Sequence, residues 1–310
     1  MPKIGLVLNG GGFAGAKQVG PPKELWRREQ IPAVIQGVSV GAMNAAKLVE
    51  SGPDELEKNW RQREKIGPQS IFNWRGAFFH AFSNHLLSDR GLNELVNQLD
   101  IYKILESPIK LQVIVRNESK QQLEVFTNHD PQFVDNPEKL RKIIKASTSL
   151  RGIFPPVEID GQWYCDGYYF KLEELTDCDT IFLLLNDEQK VGSDFHLATW
   201  YKRFVVDFNE VLDDLNVERI DNFLETHPEF GEYKAESSLS WVQKTLKHWT
   251  EKVKKVLGSK QLVVISPSYS IPTLTLDSFT MPTKFMEGDV SKAIRLGTEQ
   301  AKKLFDEMHL

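Results

Sequence analysis

Two short stretches carry residue types that can do chemistry, and each sits where an apolar run gives way to a helical one. The first is LVLNGGGFAGAKQVG at 6–20, with Gly10, Gly11 and Gly12 in succession and Gly15 close behind. The second is IQGVSVGAMNAA at 35–46, in which Gly37-Val38-Ser39-Val40-Gly41 matches GxSxG. A GxSxG between a strand and an Ala-rich helix reads as a nucleophile elbow. The turn is tight, its serine backbone is strained, and the flanking glycines remove side chains that would clash. Ser39 Oγ is thereby lifted above a sheet edge, beside the N–H groups that open a helix.

The glycines admit more than one anion. Gly10, Gly12 and Gly15 satisfy G-x-G-x-x-G, the pattern that cradles a pyrophosphate. That pattern also requires an acidic residue about 20 positions on, at the end of the second strand, to hold a ribose. The residues there are Ile35, Gln36 and Gly37, and none is acidic. A phosphate-binding P-loop fits less well still, because no Gly-Lys-Ser/Thr follows the glycines. If the first two strands are parallel neighbours, both turns open on one sheet edge and the glycine N–H groups lie beside Ser39. An oxyanion hole needs that arrangement, with donors aimed at developing negative charge.

A serine hydroxyl needs a base within hydrogen-bond reach. The seven histidines (His80, His85, His129, His196, His227, His248 and His309) lie in helical or polar stretches with no marked turn around them. The better candidate is Asp166 in GQWYCDGYYF, a carboxylate whose basicity partial burial would raise. Tyr164, Tyr168 and Tyr169 can wall it, and Gly167 lets the backbone come close. Asp-Gly between aromatic runs is equally an ordinary turn signal.

Positioning these residues takes a parallel sheet. Ile4–Leu8 reads as a strand, Gly15–Arg28 as a helix, Ala33–Gln36 as a second strand and Val40–Glu50 as a second helix. Two βα units in succession predict right-handed crossovers. Further strands are expected at 109–115, 122–127, 180–185 and 261–266, and a hairpin across VEIDGQWYCDG. Helices fit GLNELVNQL, PEKLRKIIKAS and the C-terminal GDVSKAIRLGTEQAKKLFDEM. Residues 190–258 lack a strand signal and read as a helical insertion in a single domain spanning 1–310.

The chain has 310 residues of which 41% are hydrophobic, enough to bury a large α/β core. A net charge of -5 argues against whole-surface binding to nucleic acid. Two cysteines, Cys165 and Cys178, do not make a disulfide framework and suit a reducing compartment. No run reaches about 18 apolar residues and no signal-peptide pattern opens the chain. A cytoplasmic protein without a spanning segment is expected, with peripheral membrane contact left open.

LVLNGGGFAGAKQVG, GVSVG and ASTSLRGIFPPVEIDGQWYCDG together resemble the patatin-like phospholipases, in motif order and approximate spacing. IPTLTLDSF and GDVSKAIRLGTEQA resemble the end of such domains, and 190–258 is the least matched part. The resemblance implies a three-layer α/β sandwich with a mainly parallel central sheet flanked by helices. It implies a Ser39–Asp166 dyad without histidine, Gly10, Gly11 and Gly12 as the oxyanion loop, and no metal or other cofactor. It implies hydrolysis of acyl esters in phospholipids or related lipids through an acyl-Ser39 intermediate.

Two departures from the family pattern stand out. Ala14 occupies the position of a basic residue in the glycine loop, and Tyr168 that of a small residue after Asp-Gly. Lys17, or Arg151 where a proline is common, could supply the missing cation. Four functions stay open at this level: a lipid acyl hydrolase, an acyltransferase or thioesterase sharing the acyl-enzyme step, a silent lipid-binding scaffold and, last, a dinucleotide-dependent oxidoreductase. The aromatic stretch 71–82 and the basic amphipathic stretch 241–258 are the candidate lipid contacts, each equally readable as packing within the fold.

Overall fold

The computed structural model describes residues 2–66, 88–186, 218–234, 260–265 and 289–310. Short buried apolar runs form the strands. β1 (Ile4–Leu8) and β2 (Val34–Val38) are buried along their whole length. They are joined by β3 (Lys110–Asn117), β4 (Gln122–Thr127), β5 (Val157–Ile159), β6 (Gln162–Asp166), β7 (Thr180–Leu184), β8 (Phe230–Lys234) and β9 (Lys260–Ile265). The nine strands make one sheet in the order β5-β6-β3-β2-β1-β7-β9-β8, with β4 also paired to β3. Its centre is parallel, from β3 through β2, β1, β7 and β9 to β8, and β4, β5 and β6 pair antiparallel.

One register positions the site. Val38, the last residue of β2, pairs with Ile114, and Asp166, the last residue of β6, pairs with Val115. The other edge of β3 is occupied by β4 at both positions. β2 and β6 therefore share one edge of β3, run towards each other, and stop one residue apart.

Alternation along the strands divides the interior into two cores. Leu6, Leu8, Ile35, Val113, Phe182 and Val263 face one side, with Val7, Val34, Ile114, Ile181, Leu183 and Leu262 on the other. The first side is covered by α1 (Gly20–Arg27), α2 (Val40–Ile66), α4 (Ile101–Glu106), α5 (Pro137–Thr148) and the C-terminal helix Asp289–Glu307. α3 (Arg90–Val96) packs beside α5. The second side is covered by 170–178 and the helical run 218–226, through Phe170, Leu172, Leu175, Ile220 and Phe223. This is the expected sandwich of a central sheet flanked by helices. Among the described residues, no helix is long and apolar enough to cross a membrane.

Three expectations need correction. The helix expected over Gly15–Arg28 is two: a 3-10 helix, Gly12–Val19, followed by α1. Pro21 and Pro22 lie in the first turn of α1, where a missing N–H costs nothing, so the α-helix starts there. The helix expected over Val40–Glu50 continues to Ile66 through a break at Gly52, where φ is +77°. Within the segment read as free of strands, β8 pairs in parallel with β9. Its sequence, FGEYK, is short and half polar because an edge strand need not be apolar throughout. The stretches 71–82 and 241–258 lie outside the described residues.

Gly41 opens the packing of α2 on β1. A Cβ there would fall inside contact distance of the Leu8 carbonyl oxygen and 2.8 Å from that of Asn9. Gly41→Ala must push the helix off the strand end, and overpacking of this kind costs about 1–3 kcal/mol. The expected result is a lower urea midpoint with an unchanged m-value. A midpoint equal to wild type would contradict this contact.

Candidate active site

β1 and β2 are adjacent and parallel, with Leu8 paired to Gly37, so both following turns open on the carboxyl edge of the sheet. Ser39 is the one residue between β2 and α2, and its φ is +58°. That left-handed conformation costs a non-glycine residue about 1–3 kcal/mol and is held only by surrounding contacts. One such contact is explicit. The Ser39 N–H donates to Ser147 Oγ at 3.0 Å, and Ser147 Oγ donates to the Ile114 carbonyl at 2.7 Å. Ser147 is fully buried near the end of α5, so that helix pins the elbow to β3.

Asp166 arrives from the opposite direction and is fully buried. Its N–H donates to the Ser149 carbonyl at 3.0 Å, and its Oδ1 accepts the Tyr168 N–H at 2.8 Å. Burial pushes its pKa up to about 7, opposed by the neighbouring Ser39 hydroxyl and by the Tyr168 N–H. The hydroxyl is near enough to favour the charged form, yet no full hydrogen bond joins the two side chains. Oδ2 is left without a partner among the described residues.

The glycine loop leaves β1 at Asn9, whose N–H reaches the Leu184 carbonyl of β7 at 3.2 Å. Gly10 passes so near the elbow that a Cβ on it would lie 3.1 Å from Ser39 Cβ. Gly11 has φ +143° and Gly12 opens the 3-10 helix. Among the described residues, the N–H groups of Gly10 and Gly11 have no acceptor. The loop is held by its carbonyls instead. Asn9 O accepts Gln18 Nε2 at 2.7 Å and Asn186 Nδ2 at 3.1 Å, and Gly10 O accepts Asn186 Nδ2 at 2.5 Å. Asn44 Nδ2 holds Gln18 Oε1 at 2.9 Å, and Trp60 Nε1 donates to Asn44 Oδ1 at 3.0 Å.

Thus Ser39, Asp166 and the Gly10–Gly12 turn come together at one edge of the sheet. The positions of the candidate cations differ. Ala14 is packed at 1% exposure, and Lys17 is buried in the last turn of the 3-10 helix. The exposed Arg151 guanidinium lies 3.8 Å from Glu118. Tyr168, in place of a small residue, has φ +62° and accepts the Arg151 N–H at 3.1 Å on its hydroxyl. The described histidines lie elsewhere. His129 is bonded to the Ser107 carbonyl before β3, His227 precedes β8, and His309 is next to the C-terminal residue.

Asn9, Gln18, Asn44, Ser147 and Asn186 escaped the sequence reading. Each finds its partner well away in the chain, so no local motif marks it. The one usable signal was their polarity at positions whose neighbours are buried.

Residues 6–171 match the family described as patatin-like phospholipase. No curated protein matches the chain. Among solved structures it aligns with VipD from Legionella pneumophila at 15% identity, covering 99% of this chain and 67% of that one, with a TM-score of 0.46.

Two outcomes follow from the geometry. Ser147→Ala strands the Ser39 N–H inside the protein, at a cost of about 1–3 kcal/mol in denaturant unfolding. The second concerns Asp166. Its folded pKa of about 7 lies above the ordinary 3.8, so between those values the folded chain keeps a proton that the unfolded chain has lost. The associated stability is complete below the lower value and is lost as pH rises through the upper one. Asp166→Asn escapes that loss. Its thermal midpoint relative to wild type should rise between about pH 4 and about pH 8.

Proposed function

The chain belongs to the patatin-like phospholipase family, and from that premise we propose that it is a serine lipid acyl hydrolase acting through a Ser39–Asp166 dyad. The observation that carries this reading is the meeting of the elbow serine with a buried carboxylate of raised pKa at the facing ends of β2 and β6. Residues 1–310 are taken as one acyl hydrolase domain, with an insertion at about 190–258 that lends β8 to the sheet.

In the first half-reaction Ser39 Oγ attacks the ester carbonyl while Asp166 Oδ2, the oxygen not engaged by Tyr168, takes the hydroxyl proton. The carbonyl oxygen becomes an oxyanion facing the unfilled N–H groups of Gly10 and Gly11. When the intermediate collapses, the bond to the alcohol oxygen breaks and Asp166 returns the proton to that oxygen. The acyl group is left on Ser39. In the second half-reaction Asp166 deprotonates a water that attacks the acyl-serine, and the proton passes back to Ser39 Oγ as the fatty acid leaves.

A carboxylate of ordinary pKa would be a weak base for a serine hydroxyl. Burial raises Asp166 towards neutral pH and narrows that gap. The substrate class is an acyl-lipid such as a phospholipid, met by peripheral contact with a lipid surface, and the dyad needs no cofactor.

The direct test is fatty-acid release from mixed phospholipid micelles by wild type, Ser39→Ala and Asp166→Asn, with folding checked in each. Release should be abolished in both variants, and release that survives Ser39→Ala excludes the mechanism. With wild type, kcat/KM should climb with pH to a plateau, with its midpoint near 7 as Asp166 loses its proton. A profile flat across that range would remove Asp166 as the base.

A further inference from the structure

The glycine loop is held by two side chains whose tasks differ. Asn9 O is clamped twice, by Gln18 and by Asn186, whereas Gly10 O is held by Asn186 alone. The loop contains no cis peptide bond. In a planar trans peptide the C=O and the N–H of the same unit point opposite ways. Fixing the Gly10 carbonyl on Asn186 therefore fixes the Gly11 N–H on the other side, away from β7 and its following turn. Asn186 also packs against the Gly11 α-carbon, since a Cβ there would lie 2.7 Å from Asn186 Nδ2 and 2.8 Å from its Cβ. The hydrogen bond sets the orientation of the peptide and the packing blocks its movement.

We propose that Asn186 is the positioning residue of the oxyanion hole, holding the Gly10–Gly11 peptide in the orientation that aims the Gly11 N–H at the reacting carbonyl. The inference rests on the acyl hydrolase reading above. Nothing else among the described residues holds the Gly10 carbonyl, and Gly11, at φ +143°, offers little resistance to a peptide flip. A flipped peptide would present a carbonyl oxygen, not a donor, to the developing negative charge. Asn186 stands two residues beyond the end of β7, the parallel neighbour of β1, so the sheet holds the clamp in register with the loop.

The experiment compares wild type, Ser39→Ala, Asn186→Ala and Asn186→Asp on a soluble p-nitrophenyl acyl ester. Rates of wild type and the Asn186 variants are expressed per Ser39 labelled by saturating fluorophosphonate, so misfolded chains do not count, and the rate of Ser39→Ala is expressed per folded chain. Loss of one oxyanion donor costs about 10²–10³ in kcat, so a misaimed donor should lower kcat by about tenfold or more. KM should stay within about twofold, since ground-state binding does not use the hole. Asn186→Asp should be the worse variant, because its carboxylate repels the two carbonyls that the amide holds. The rate of fluorophosphonate labelling should fall in parallel, because that reaction also builds an anion on the phosphoryl oxygen.

Wild-type kcat per labelled site in both Asn186 variants overturns the inference, even if their thermal midpoints drop, and so does a loss confined to KM. Turnover that persists in Ser39→Ala instead sinks the underlying hydrolase reading. The two failures are thus distinguishable.

Discussion

β3 lends one edge to two strands that arrive from opposite directions, and the site depends on that shared edge. Val38 and Asp166 occupy consecutive positions opposite Ile114 and Val115. The backbone hydrogen-bond ladder therefore sets the separation of serine and carboxylate before any side chain acts. A slip of one residue in β6 would turn Asp166 to the other face of the sheet. Gly167 fits the same constraint, for a Cβ on it would come within 3.0 Å of the Ile114 carbonyl.

Two unfavourable arrangements are concentrated at this junction. Ser39 holds a left-handed backbone and Asp166 is a carboxylate wholly removed from water. Each is costly alone, and each is compensated by groups delivered from α5, from the turn after it and from the turn after β6. Ser147 satisfies the Ser39 N–H, Ser149 accepts the Asp166 N–H, and the Tyr168 N–H takes one carboxylate oxygen. The other carboxylate oxygen is left without a hydrogen-bond partner among the described residues.

The other side of the sheet anchors the chain just past the aspartate. Buried Gln36 bonds the Lys171 carbonyl at 2.9 Å and accepts the Lys171 N–H at 2.8 Å, while its amide also reaches Gln112 Oε1 at 2.9 Å. The residue that stands where a dinucleotide fold would have an acid thus ties the segment after Asp166 to β2, the strand that leads into Ser39. These bonds satisfy polar groups that would otherwise be costly inside an apolar core. They also join the two arms of the site through a second, independent path.

Local chemistry was legible in the residues themselves. GxSxG between an apolar strand and an Ala-rich helix, three glycines after β1 and Asp-Gly after an aromatic strand each carry their geometry in their own composition. Steric limits at tight turns and the alternation of buried strands act over a few residues. The apolar strands and most of the helices followed on the same grounds. Where short-range signals conflict or fade, the reading failed: the 3-10 helix held back by Pro21, the half-polar edge strand β8, and the helix resuming after Gly52. Tertiary structure alone decided that β2 and β6 meet on one edge of β3, that Asp166 is buried deeply enough for its pKa to climb, and that Ser147 and Asn186 reach the elbow and the glycine loop. Those pairings join residues far apart in the chain, and burial depends on what packs from every side. A polar side chain carries no mark of the distant partner it will find.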